Sequence, residues 1–175
     1  MTRDRGRSGS REPENPIRFA ELDDLVRLAE IEEQSDPGLE GSGLGALPSS
    51  DLRDGRAPAS VLLVSGRPAV AFIRVDEVDG CAHIDQLAVL RSAARHGIGQ
   101  ALLDAVIAWA IEHGYPALTL STFVESQWNE RVYGPSGFVP MAVLTPELLE
   151  LRDWERAIGL DATGPRVVLR RELAA

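Results

Sequence analysis

Apolar side chains recur along the chain with two different periods, and the changes of period mark its elements. Ile17–Ala20 reads as a short strand. Leu25, Leu28, Ala29 and Ile31 follow at three- to four-residue spacing, a helix that Asp23 or Asp24 is placed to cap. Pro37–Pro48 holds four Gly and two Pro and reads as a loop, with a short helical turn over Ser50–Asp54 after it. From Val61 the period falls to two. Val61–Val64 and Ala69–Val78 are strands joined at Gly66-Arg67, and the Asp79-Gly80 turn leads into a third, Ala82–Leu90. Past Gly97 the period returns to 3.6: Ile98, Leu102, Leu103, Val106, Ile107 and Ala110 form one broad stripe. Gly114 ends that helix and Pro116 bars its continuation. Ala117–Thr122 is a strand, Gln127–Tyr133 a short helix, and Gly137–Ala142 another strand. Thr145-Pro146 opens a helix to about Ile158, with Pro at the first helical position, where its missing N–H matters little. Val167–Arg171 is the last strand. This order is neither strict alternation nor two segregated blocks. It predicts an α+β, three-layer fold: a mixed, mostly antiparallel twisted sheet of six to seven strands with helices on both faces.

Residues 1–15 are polar, rich in Arg, Ser and Gly, and read as a disordered tail before a single domain over residues 16–175. A chain of 175 residues with 44% apolar side chains suits one core. No apolar run reaches the roughly 18–20 residues that a membrane span needs; the longest, Ala101–Ile111, is broken by Asp104. The arginines of the tail have no apolar stretch behind them, so no secretory signal is read and a cytoplasmic location is expected.

Absences narrow the chemistry. The single cysteine, Cys81, excludes an intrachain disulfide and a cysteine-rich zinc site, and no metal is expected. All 18 basic residues are Arg, which removes the phosphate-loop Lys, the kinase strand Lys and any Schiff-base Lys. Net charge is −9, with +1 on residues 1–15 and −10 on the rest, so nucleic acid is repelled and cationic amines are attracted.

The loop before the second long helix carries the first candidate site. In "DQLAVLRSAARHGIGQALL", Asp85–Leu103, a strand passes to a helix through Gly97-Ile98-Gly99. Glycine at a helix start lets the backbone approach a ligand, and the N–H groups there receive an anion such as a pyrophosphate, with Arg95 and His96 as flanking donors. A dinucleotide fold would place a third Gly at position 102, which is Leu, and would surround it with parallel strands; both are missing.

"LAV" followed by "RHGIGQALL" resembles the acetyl-CoA motif Q/R-x-x-G-x-G/A of the GNAT superfamily of N-acetyltransferases. "NERVYGPSGF", Asn129–Phe138, resembles that family's second signature, an Asn, then a Tyr, then Gly-Phe. "TFVESQWN" and "RVVLRREL" are also similar to small actinobacterial members of uncertain substrate. The strand order spans the likeness from about Ile17 to Leu173. Two departures stand out: Ala94 occupies the motif's first position, and the stretch from Asn129 to Tyr133 is about one helical turn short.

The resemblance implies a GNAT-like acyl-CoA acyltransferase fold and an acetyl-CoA-dependent N-acetyltransferase acting on a primary amine by direct attack in a ternary complex. Acetyl-CoA would lie along Leu87, Ala88 and Val89, whose backbone N–H groups polarise the thioester. Its pyrophosphate would rest on Arg95, His96, Gly97, Ile98, Gly99, Gln100 and Ala101, with Asn129 nearby. Tyr133 is the candidate acid: a phenol titrating near 10 matches an alkyl thiolate leaving group, although a Tyr packed under the Gly-Phe turn is the plainer reading of the residue alone. Strand alternation places His83, Asp85, Leu87 and Val89 on one face and Ile84, Gln86 and Ala88 on the other. Asp85 matches the family's usual Glu and is the candidate base; His83 and water remain alternatives. Phe123 and Trp128 are candidates for an amine pocket through cation–π contact. The partners expected are a small-molecule or peptide amine, with a homodimer left open and neither nucleic acid nor membrane. A catalytically silent acyl-CoA-binding module on the same fold is the competing reading, supported by the two departures. A protein-interaction domain that docks through the helix Thr145–Ile158 is another.

Overall fold

The computed structural model describes residues 15–35 and 61–174. The polar tail up to residue 14, the loop Pro37–Pro48 and the turn Ser50–Asp54 lie outside the described residues. In chain order the elements are β1 (Ile17–Phe19), α1 (Leu22–Gln34), β2 (Val61–Ser65), β3 (Ala71–Val78), β4 (Cys81–Val89), α2 (Ile98–Glu112), β5 (Ala117–Phe123), β6 (Val139–Pro140), α3 (Pro146–Ala157) and β7 (Arg166–Glu172). The strands form one seven-stranded sheet in the order β1-β2-β3-β4-β5-β7-β6. Only β4 and β5 run parallel; every other pairing is antiparallel. The expected mixed, mostly antiparallel sheet is what forms.

The stripe on α2 explains the larger core. Leu102, Leu103, Val106 and Ala110 are fully buried against Ile73, Val75, Ala82, Ile84 and Leu118 on one face of the sheet. On the opposite face α1 buries Ile31 against Val64, Phe72 and Ala88, and α3 buries Leu148 and Leu151 against Val78 and Val168. Two faces, each covered by helices, make the three layers.

Three elements depart from the sequence pattern for physical reasons. The hairpin connection before β3 runs over residues 66–70 rather than two residues, because Pro68 cannot donate to a ladder and Val70 is the residue that closes back onto the Ser65 carbonyl. The strand expected over Gly137–Ala142 shrinks to two residues: Gly137 turns at φ +86°, and Pro140 has no N–H to give. Helix α1 starts at Leu22, so Asp24 lies in its first turn rather than at its cap.

From there Asp24 still closes the helix start, as the acidic partner of a capping box with Glu21, and it pairs with Arg18 as well. Its carboxylate takes a two-pronged ion pair from Arg18 at 2.6 and 2.8 Å and the backbone N–H of Glu21 at 2.8 Å. The Arg18 guanidinium is the main cause that holds the Asp24 carboxyl down at about 2, below its usual 3.8. A depressed folded-state value stabilises the fold above the unfolded value and loses that stabilisation as pH falls through about 4 to 2. Asp24→Asn is therefore expected to destabilise the protein by on the order of 2 kcal/mol at neutral pH. In urea unfolding the gap to wild type should close as pH approaches 2; a gap that stays constant with pH would show that the charge does not matter.

Candidate active site

The middle of the sheet is parted. Strands β4 and β5 pair only through Ala82–Ile84 and Leu118–Leu120. Beyond Ile84, β4 runs on to Val89 hydrogen-bonded to β3 alone, while β5 pairs with β7 as far as Phe123. The edge of β4 over Asp85–Val89 therefore faces a gap between two parallel strands. The parting coincides with a β-bulge: Arg74 pairs with Gln86 and Val75 with Ile84, which leaves Asp85 as the extra residue. Bulges re-aim side chains and end pairings.

That bulge corrects the expected alternation. Ile84 lies with Leu87 and Val89 in the core under α2, whereas Ala88 lies on the α1 face. Asp85 lies on the side of Arg74, with Oδ2 3.8 Å from the Arg74 Nε, and its side chain is 6% exposed. Asp76, one step along the same face, is 3.5 Å from the same nitrogen. His83 is 2% exposed with Nδ1 2.8 Å from the Thr119 hydroxyl, so the rival base is enclosed and hydrogen-bonded.

At the far end of the gap, the loop from β4 enters α2 through two left-handed residues, Arg95 at φ +67° and Gly97 at φ +74°. Gly97 is the N-cap of α2 and brings no capping side chain, so the first-turn N–H groups point outward without a carbonyl to receive them. They open into a pocket of about 350 Å³ lined by Val89, Ala94, Arg95, Gly97–Gln100, Trp128, Arg131 and Val132. Its charged lining is two arginines, with no carboxylate among them. Helix dipole, N–H groups and both guanidinium groups favour an anion here.

Arg131 is the pocket residue that the sequence reading missed. It reaches the pocket whose wall includes Ala94, the position where the motif's usual side-chain donor is absent. The clue was its place two residues after Asn129, in a turn read only for Asn and Tyr. Asn129 itself donates from its amide nitrogen to the carbonyls of Phe123 and Val124, at 2.8 and 3.1 Å, and so ties the end of β5 to the next turn. That turn, Asn129–Tyr133, is a π-helical turn closed by the Gly134 N–H on the Asn129 carbonyl, at 2.8 Å. It delivers Tyr133 into the core, 8% exposed, with ring centroids 5.6 Å from Trp128 and 5.8 Å from Phe138.

The other sequence candidates are scattered more widely. Trp128 packs on the first turn of α2: a Cβ on Gly99 would meet its ring at 2.4 Å, so Gly99 is glycine partly to admit that indole. The indole therefore lines the anion pocket rather than standing beside Phe123. Phe123 carries the guanidinium of Arg166 4.8 Å from its ring centroid, a cation supplied by the chain itself. Gln100 lines the pocket and bonds to Asp104 and Ser136, whereas His96 and Ala101 are exposed outside its lining. No cluster of potential metal ligands occurs among the described residues, and no described helix is long and apolar enough to cross a membrane.

The sheet is thus parted beside a helix start that receives an anion. The family model described as "Acetyltransferase (GNAT) family" matches residues 25–138, well over half of the chain, and the protein belongs to that family. Its fold is shared with the ribosomal-protein-S18-alanine N-acetyltransferase of Escherichia coli, at a TM-score of 0.67 and 16% identity over 92% of this chain and 95% of that one. It is shared too with a GNAT family acetyltransferase of Elizabethkingia anophelis solved with acetyl-CoA bound, at 0.63 and 17% over 93% and 100%. The PaiA N-acetyltransferase of Thermoplasma acidophilum, solved in complex with coenzyme A, aligns at 0.63 and 14% over 90% and 98%.

Proposed function

We propose that this protein transfers an acetyl group from acetyl-CoA to the primary amine of a small molecule or peptide, by direct attack within a ternary complex. The observation that carries this reading is the pocket at the start of α2, with Arg95, Arg131 and no carboxylate, opening beside the unpaired edge of β4. Acetyl-CoA supplies the activated acyl carbon and a thiol leaving group. The chain's own residues do the rest. Arg95, Arg131 and the N–H groups of Ile98, Gly99 and Gln100 hold the pyrophosphate. A backbone N–H from Leu87–Val89 takes the charge that develops on the thioester oxygen. The amine nitrogen bonds to the carbonyl carbon, the C–S bond breaks, and Tyr133 gives its proton to the departing thiolate. Before it attacks, the bound ammonium gives a proton to water held beside Asp85; the carboxylate is itself a weak base, so it acts chiefly by favouring the hydronium-like charge that forms there. The proposal includes a single domain over residues 16–175 acting in the cytoplasm.

Acetyl-CoA at a hundred times its dissociation constant is expected to add about 2.7 kcal/mol to stability, a clear melting shift. Arg131→Ala should weaken binding about tenfold, measured by calorimetry. No shift and no heat with millimolar acetyl-CoA would overturn the proposal. The Ala94 departure favours a second reading, a silent acyl-CoA-binding module. It requires the melting shift without thiol release on any amine.

A further inference from the structure

We infer that the acceptor is an α-aminoacyl group, the amino terminus of a peptide or an amino-acid amide, recognised by Arg74 together with Asp85. This rests on the transferase reading above and names the substrate class of the same site. Arg74, on β3, turns its Nε toward Asp76 and Asp85, at 3.5 and 3.8 Å. Its outer nitrogens, Nη1 and Nη2, donate no hydrogen bond among the described residues, and its side chain is 20% exposed. The parted edge of β4 thus has a carboxylate, which only accepts, beside a guanidinium fork, which only donates.

A ligand that answers both carries a donor and an acceptor on neighbouring carbons. An ammonium next to a carbonyl has that arrangement: nitrogen toward Asp85 and the gap, carbonyl oxygen onto the Arg74 fork. Charge sharpens the choice. Arg74, Asp76 and Asp85 together carry one formal negative charge, which suits an aminoacyl group of charge +1. A free amino acid is neutral overall, and a polyamine has no oxygen for the fork. The aromatic box that would hold a bare alkylammonium is not assembled, since Phe123 faces Arg166 and Trp128 lies against Gly99. Arg74 is on this account a specificity-determining residue.

The test is thiol release from acetyl-CoA with alanine amide, isopropylamine, free alanine and putrescine. The wild-type protein is expected to favour alanine amide over isopropylamine by about a hundredfold in kcat/KM, with free alanine and putrescine below the amide. Arg74→Met should bring that ratio within about tenfold, mainly by raising KM for the amide, and Arg74→Lys should fall between. Loss of support for Asp85 lowers both rates alike and cancels in the ratio. Alanine amide is less basic than isopropylamine, which by itself favours the amide in every protein tested. Recognition is therefore read from the change in ratio between wild type and the Arg74 variants, in which that difference drops out. A wild-type ratio near one, a ratio unmoved by Arg74→Met, or alanine outrunning its amide overturns the inference. If acetyl-CoA binds and isopropylamine is acetylated, such a result leaves the transferase reading intact; if acetyl-CoA does not bind, both fall.

Discussion

Gly99→Val is expected to abolish the acetyl-CoA melting shift and to lower the melting temperature of the free protein as well. The added Cβ would lie 2.4 Å from the Trp128 ring, a separation that real contacts do not tolerate. Trp128 is 6% exposed and packed on Tyr133, so it has little room to retreat except into the pocket between Val89, Arg95 and Arg131. Overpacking of this kind costs about 1–3 kcal/mol. At about 2–4 °C per kcal/mol for a chain of this size, the drop in melting temperature is readily measured. The displaced indole then fills the volume that the pyrophosphate needs. Trp128→Leu separates the two effects, because it removes the obstructing ring while leaving the N–H groups of α2 in place. Added to Gly99→Val, it should restore stability and part of the cofactor shift. A Gly99→Val protein that keeps its full shift would show that the start of α2 is not where acetyl-CoA binds.

The elements with strong periodicity were readable from the chain. The stripe on α2 and the Asp79-Gly80 hairpin each depend on local patterns, and local patterns survive folding. The bulge was not readable. Nothing in His83-Ile84-Asp85-Gln86 distinguishes an alternating strand from one that pauses for a residue, because the extra residue is defined by the partner strand. Its consequences were hidden with it: the face on which Asp85 lies, the contact with Arg74, and the grouping of Ile84 with Leu87 and Val89 rather than with Ala88. The neighbourhood of Trp128 and Gly99 was equally out of reach, since the two residues lie far apart in sequence and meet only through the π-helical turn. Arg131 was missed for a narrower reason. A motif reading looks for its donor at the expected position, found Ala94 there, and did not search the facing element for a substitute. Phe123 shows the opposite error: an aromatic at a strand end invites a cationic ligand, but Arg166 across the β5–β7 pair reaches it first.

Replacing Tyr133 by Phe is expected to reduce turnover about 100- to 10,000-fold, the range a positioned general acid contributes. Affinity for acetyl-CoA should change little, because the hydroxyl acts only as negative charge gathers on the sulfur. The fold should also survive. Tyr133 meets Trp128 and Phe138 through its ring, and Phe preserves that volume and those contacts. The structural reading of the same residue predicts otherwise: a tyrosine that merely packs beneath the Gly137-Phe138 turn would lose no turnover on becoming Phe. Steady-state thiol release with alanine amide, together with the acetyl-CoA melting shift of the same preparation, decides between them. Slow turnover with a normal shift assigns Tyr133 to proton transfer. Wild-type turnover removes it from the mechanism and leaves water to protonate the thiolate. A lost shift would instead mean that the hydroxyl helps to form the cofactor cleft. The leaving group supplies a further check, because a thiol ester whose thiolate is less basic needs the acid less. With an aryl thioester in place of acetyl-CoA's alkyl one, the deficit of the Phe variant should shrink, and a deficit that stays the same would exclude Tyr133 as the proton donor.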